Sequence, residues 1–309
     1  MRQPWAVGFA AGAAALGAAL ALLYWGGTYE LRLGTILAMY IALASGWNLI
    51  GGMAGYPSFA TAAFFGLGAY AGALTQVKGV PMVFAWTFAA VVAGTVALAI
   101  GWIVLRLRGH YFAIASFAVV IVLREIATNW TDLTGGGMGV SLPMLQLSML
   151  AQARLFFSAQ AVLAALAVAI CLFVAYSKLG FALGCIRQNE SAAGMLGLDA
   201  RRAKTAAFCI SSAIMGAAGA IYASSIFYID PSDVFDILLS IKPIIMTMLG
   251  GGGTVAGPIL GAALFMILEQ TVWANFLSVH AAILGALVVV IAMFLPRGLF
   301  GRRLRPRLA

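Results

Sequence analysis

Long apolar runs separated by brief polar punctuation dominate this chain. Ten can be marked, near residues 6–25, 33–50, 57–76, 83–105, 110–129, 155–176, 204–226, 236–253, 255–272 and 278–296. At 1.5 Å rise per residue, runs of about 18 to 24 residues are long enough to cross the roughly 30 Å hydrocarbon core as helices. The many short alternating strands of a membrane barrel are absent from the pattern. The expected fold is therefore all-α: a polytopic transmembrane helical bundle of about ten segments, one domain over 1–309, lying in the lipid bilayer. The first run follows Arg2 and continues into Tyr24 and Trp25 without a persuasive small-residue cleavage site, so it reads as a span and not a secretory signal.

Composition agrees with this pattern. Mean hydropathy is +1.04, and only 9% of residues are charged against roughly 25% in an ordinary soluble domain. The net charge of +9 would suggest nucleic acid in a soluble protein. Here it follows from the tendency of cytoplasmic flanks to carry Lys and Arg, so no nucleic-acid partner is expected. Thirteen of the 18 basic residues sit on flanks assigned to one side, among them Arg106, Arg108, Lys178, Arg187, Arg201, Arg202 and the C-terminal GRRLRPRLA. An even number of crossings then places both termini in the cytoplasm.

Two loops interrupt the apolar pattern. An extracytoplasmic loop, 130–154, carries three consecutive glycines and a proline, which suit a turn and a surface segment serving either as a cover or as a plain connector. The cytoplasmic loop, 178–204, holds seven charged residues. Within it, Asn189 is placed to cap a short helix beginning at Glu190, a favourable position for an acid near the positive helix end. Gly197 is suited to end that helix in the left-handed conformation. The product is a small knob, Glu190, Ser191, Ala192, Ala193, Gly194 and Gly197, able to seat in a cleft on a soluble partner or to serve as an ordinary connecting helix. If the knob does seat in such a partner, charge reversal at Glu190 or added bulk at Ala193 should lower the function it serves while largely sparing the fold.

Two glycine-rich breaks fall inside apolar runs. Gly51, Gly52, Gly55, Tyr56 and Ser58 mark the first, with Pro57; Gly251, Gly252, Gly253 and Pro258 mark the second. Non-helical backbone at membrane depth needs protein or a water-filled cavity to satisfy its peptide groups. These residues are candidates for lining a translocation path, with close helix packing as the alternative. No lysine follows the glycine run at the spacing a phosphate-gripping loop requires, so ATP hydrolysis by this chain is not expected. No set of residues suggests catalysis or a metal site. Cys171, Cys185 and Cys209 lack metal-ligand spacing, and His110 and His280 are isolated. Glu269 reads as an interfacial or interhelical hydrogen-bonding group.

The knob sequence RQNESAAGMLGLDARRAK resembles the coupling loops of ABC importer permeases, and more specifically those of branched-chain amino acid importers. GWNLIGGMAGYPSFATAAFFGLGAYAGAL from Gly46, LRLRGHYFAIASFAVVIVLREIATNWTDLTGGGMGV from Leu105 and GGGGTVAGPILGAALFMILE from Gly250 are similar to the same family in the same order, which suits its M-type subunit. Where many relatives carry Gly-Gln-x-Ser-x-Gly-His, this chain reads Gly55 to Thr61 as GYPSFAT. The resemblance implies a permease of the bacterial inner membrane, not itself an enzyme. It further implies a second homologous permease, two cytoplasmic ATPase subunits that alone bind ATP and Mg, and an extracytoplasmic binding protein delivering a branched-chain amino acid. Related permeases for urea, short amides or other amino acids are alternatives, as is a stand-alone secondary carrier.

Overall fold

The computed structural model describes residues 26–275, with Gly17 and residues 22–24. The apolar run at 278–296 lies outside the described residues, as does nearly all of that at 6–25. Helix α1 (Thr28–Trp47) continues into a π-helical segment, Asn48–Met53, and is followed by α2 (Thr61–Val77), α3 (Met82–Val104) and α4 (His110–Asn129). The short α5 (Thr131–Thr134) and strand β1 (Val140–Ser141) lead to α6 (Met149–Tyr176), α7 (Lys178–Gln188), α8 (Glu190–Met195) and α9 (Ala200–Ile226). Strand β2 (Tyr228–Ile229), α10 (Pro231–Val234), α11 (Leu238–Gly250) and α12 (Ala256–Asn275) complete the described chain.

Among the described residues, five helical stretches are long and apolar enough to cross a membrane: Thr28–Met53, Met82–Val104, His110–Asn129, Met149–Tyr176 and Ala200–Ile226. Helices α2 and α11 are shorter, at 17 and 13 residues. Part of each apolar run there is spent on irregular backbone: residues 54–60 before α2, and 251–255 after α11. The polytopic all-α bundle is thus observed, with its apolar runs divided between full-length and shortened helices.

Small residues set the packing. On α3 the buried positions are Ala85, Ala89, Ala93, Ala97 and Gly101, recurring every four residues, while Phe84, Phe88, Val91 and Leu98 on its other faces are exposed. A four-residue repeat is nearly one helical turn, so this stripe lets α3 approach α9 closely along one line. Gly216 of α9 fits there because a Cβ would strike Ala93 and the Ala89 carbonyl. The other side of α9 meets α2, where Gly68 faces Gly216, Gly72 faces Ala220, and Gly219 faces the Phe65 carbonyl. Helices α1 and α9 consequently run through the interior, and α3 and α4 present apolar side chains outward.

At the end away from the basic loop, β1 and β2 pair antiparallel, with Val140 opposite Ile229 and Ser141 opposite Tyr228. Leu142 N–H also donates to the Phe227 carbonyl at 2.8 Å. The 130–154 loop is therefore pinned to the segment following α9. Its strands are two residues long, too short for any alternation to announce them.

Candidate coupling site at the helix breaks

The first break begins where α1 widens into π-helix. Asn48 is wholly buried and its amide faces the second break: Oδ1 accepts from Gly253 N–H at 2.7 Å, and Nδ2 donates to the Thr254 carbonyl at 2.8 Å. One side chain thereby satisfies a donor and an acceptor left free where α11 stops at Gly250, as buried polar backbone requires. The backbones approach so closely that a Cβ on Gly52 would collide with Asn48 Oδ1 and with Gly253 N. Gly253 itself adopts φ +85°, a region that favours glycine. The two breaks, about 200 residues apart in sequence, form one junction.

Arg187, at the end of α7, donates from Nη1 to the Gly52 carbonyl at 2.7 Å. Its methylenes lie over Gly55, and its guanidinium lies where a Gly253 side chain would go. A charge-assisted bond thus covers the junction from the basic end.

Helix α8 is the knob. The Asn189 side chain accepts from Ser191 N–H and Ala192 N–H at 3.0 and 3.1 Å, and Gly197 leaves the helix at φ +77°. Glu190 at the first helical position turns back toward the bundle. Its carboxylate accepts from Tyr56 O–H and from Lys204 Nζ, the latter at 2.8 Å, with Arg108 Nε at 3.6 Å. Lys204, only 3% exposed, also reaches Tyr56 Oη at 3.0 Å and the Leu105 carbonyl at 3.2 Å, and lies 4.4 Å from the Tyr56 ring centroid. Phe112 packs edge-on against that ring. Burial would raise the Glu190 carboxyl, but hydrogen bonds from Lys204 and Tyr56, with the charges of Lys204 and Arg108, hold it below the usual carboxylate range. The strong pair is Lys204 with Glu190; Arg108 is two-thirds exposed and adds little.

The remainder of α8 faces outward. Ala193 is buried beneath it, whereas Gly194, Met195 and Leu196 are exposed, Met195 at 84% and Leu196 at 73%. Two large apolar side chains at the tip of a charged loop form a surface suited to a protein groove.

A family profile described as the branched-chain amino acid transport system permease component matches residues 29–293. This chain belongs to that family. The permease protein LivM of the high-affinity branched-chain amino acid transport system of Escherichia coli (strain K12) is 30% identical over 86% of this chain and 68% of its own. LivH, also a permease protein of that system, from Salmonella typhimurium (strain LT2), is 24% identical over 87% and 93%. A solved ABC transporter described as of metal-chelate type, in an inward-facing conformation, matches with a TM-score of 0.48 at 15% identity, covering 94% of this chain and 99% of that one. The permease is a membrane-embedded ABC transport subunit rather than an enzyme, and among the described residues no group of His, Cys, Asp and Glu could hold a metal.

The residues expected to couple and those expected to line a path are brought into contact in this permease. Tyr56, a candidate for the path, is bound to Glu190, a candidate for coupling. Gly51 and Gly52 lie in the π-helical segment, Gly51 against the Trp47 ring. Ser58 is buried, with its carbonyl accepting from the Trp47 indole at 2.7 Å. Gly251 and Gly253 form the positive-φ turn after α11, with Gly252 between them, and Pro258 is buried in the first turn of α12. The sequence pattern assigns Asn48 no role, and Arg187 and Lys204 none beyond the basic flank. The signals available were an amide just before a glycine pair, and basic residues on both sides of an acid that needs a partner.

Proposed function

We propose that this permease is the M-type membrane subunit of an ATP-driven importer that passes a branched-chain amino acid from an extracytoplasmic binding protein to the cytoplasm. It acts with a second permease and two ATPases that carry ATP and Mg. The basic end, with α7 and α8, faces the cytoplasm. The observation that carries this reading is the outward-facing tip of α8, Met195 and Leu196, on a helix whose inner face is bonded through Glu190 to the broken segment at Tyr56. A soluble motor gripping the tip would thereby hold the backbone break as well. Different contacts with α8 in two ATPase states would shift the balance between two conformations of the break.

The sequence-level expectation that Glu190 reversal or bulk at Ala193 spares the fold does not survive the geometry. Reversal would leave Lys204 buried opposite a second positive charge, and Ala193, 1% exposed, has no room for bulk. Met195→Asp and Leu196→Asp are the clean probes, since both side chains are already in water. Each should fold normally and lower co-purification of the ATPase, together with uptake, by more than tenfold. Undiminished ATPase recovery in the double variant would sink the coupling assignment.

A further inference from the structure

Lys242 of α11 and Glu269 of α12 form an ion pair, Nζ to Oε1 2.7 Å, with side chains 20% and 16% exposed. Lys242 lies eight residues before the end of α11 at Gly250, about 12 Å along the helix, and Glu269 lies thirteen residues after the start of α12 at Ala256, about 20 Å. Counted from the other ends, Lys242 is four residues after Leu238 and Glu269 six before Asn275, so the pair joins the interiors of two apolar helices. Among the described residues, no other ion pair joins two of the bundle's apolar helices.

Its surroundings are built for charge. The buried Tyr40 ring of α1 lies 5.5 Å from Lys242 Nζ, a stabilising position for a cation. Pro243 follows Lys242 and has no N–H to give the carbonyl one turn earlier, Leu239, which leaves a backbone acceptor beside the pair. A buried ion pair contributes little net stability compared with apolar residues of the same size. Charges carried on apolar helices belong where they meet protein or a water-filled cavity, and by default they mark a functional site.

We propose that Lys242 and Glu269 are a binding station for a zwitterionic amino acid on the translocation path. Lys242 receives the α-carboxylate, and Glu269 receives the α-ammonium with help from the Leu239 carbonyl. Without substrate the two side chains neutralise each other, and with it each exchanges its partner for the substrate group of the same sign. Neither charge is left unpaired in either state. The station would thus read the amino acid backbone and leave the side chain to other contacts. This inference rests on the amino acid reading given above.

The test is uptake of radiolabelled leucine by proteoliposomes holding the full transporter and its binding protein. Two double variants are compared with wild type: the neutral Lys242→Met with Glu269→Leu, and the charge exchange Lys242→Glu with Glu269→Lys. Complex assembly and melting temperature are read alongside. The neutral pair should assemble with an unchanged melting temperature and lose uptake at least a hundredfold. The exchanged pair should also assemble but support less than a tenth of the uptake, because the reversed polarity presents the chiral carbon wrongly. A merely structural pair would support full uptake in the exchanged form. Near-wild-type uptake by the neutral pair, or full recovery by the exchanged one, overturns the proposal. If the wild-type transporter moves neither leucine nor any other amino acid, the substrate reading fails, and this station fails with it.

Discussion

Lys204 shows how one side chain can decide a local structure. At 3% exposure it needs a counter-charge, and Glu190 supplies it at 2.8 Å while Tyr56 and the Leu105 carbonyl take further donor positions. Removing one partner of such a pair costs about 3 kcal/mol or more, since the other charge is left stranded. Glu190→Gln should therefore lower the melting temperature of the detergent-solubilised permease. The pH dependence has a fixed sign. Because the folded state holds the Glu190 carboxyl below its ordinary value, its stabilisation is fully present above that ordinary value and disappears as pH falls through the lowered one. The wild-type and Glu190→Gln melting temperatures should differ by a constant amount from pH 7 to pH 5 and converge in stronger acid; convergence near neutrality would contradict the assigned ion pair. Tyr56 also gives meaning to the departure GYPSFAT. The phenol stands at the second position of that stretch, and its hydroxyl is committed to Glu190 of α8.

Among the elements, the glycines fall into two kinds that a substitution series would separate. Gly52→Ala has no space, and its methyl would wedge Asn48 from Gly253, an overpacking cost of about 1–3 kcal/mol with loss of uptake. Gly194→Ala on α8 meets open space and should be neutral or stabilising by roughly 0.5–1 kcal/mol through helix propensity. Thermal melts and leucine uptake of the two variants check both statements. The cap of α8 was legible in sequence because Asn189, Glu190 and Gly197 are local signals within nine residues. The helical runs were legible because lipid imposes continuous hydrophobicity. The Asn48 junction was not, since its partners lie 205 and 206 residues away and nothing local to Asn48 names them. The shortening of α2 and α11 was hidden for a related reason. Irregular backbone that is satisfied by protein can be as apolar in composition as helix.

For the molecule as a whole, the two ends are chemically distinct. Arg108, Arg187, Arg201 and Lys204 gather around α8, with Arg201 stacked on Trp102 at 3.3 Å, whereas Asp230, Asp233 and Asp236 lie beyond β2 at the other end. If the basic end is cytoplasmic, a cysteine at Met195 will react with a membrane-impermeant maleimide only after cells are permeabilised, and one at Met138, 83% exposed by the β1–β2 pin, will react in intact cells. Cys171, Cys185 and Cys209 would be replaced first. The opposite labelling pattern would invert the orientation and remove the cytoplasmic motor from α8.

The loop holds the first break at two places: Arg187 at Gly52 and Glu190 at Tyr56. A single tether can only pull, because the tethered part remains free to pivot about it. Two tethers offset along both segments behave like the jaws of a spanner and deliver torque. Under the coupling proposed above, a soluble motor that rocks α8 would therefore pass the motion on as a twist of the π-helical segment about its own axis. That twist bears directly on Asn48, whose amide is keyed into the second break.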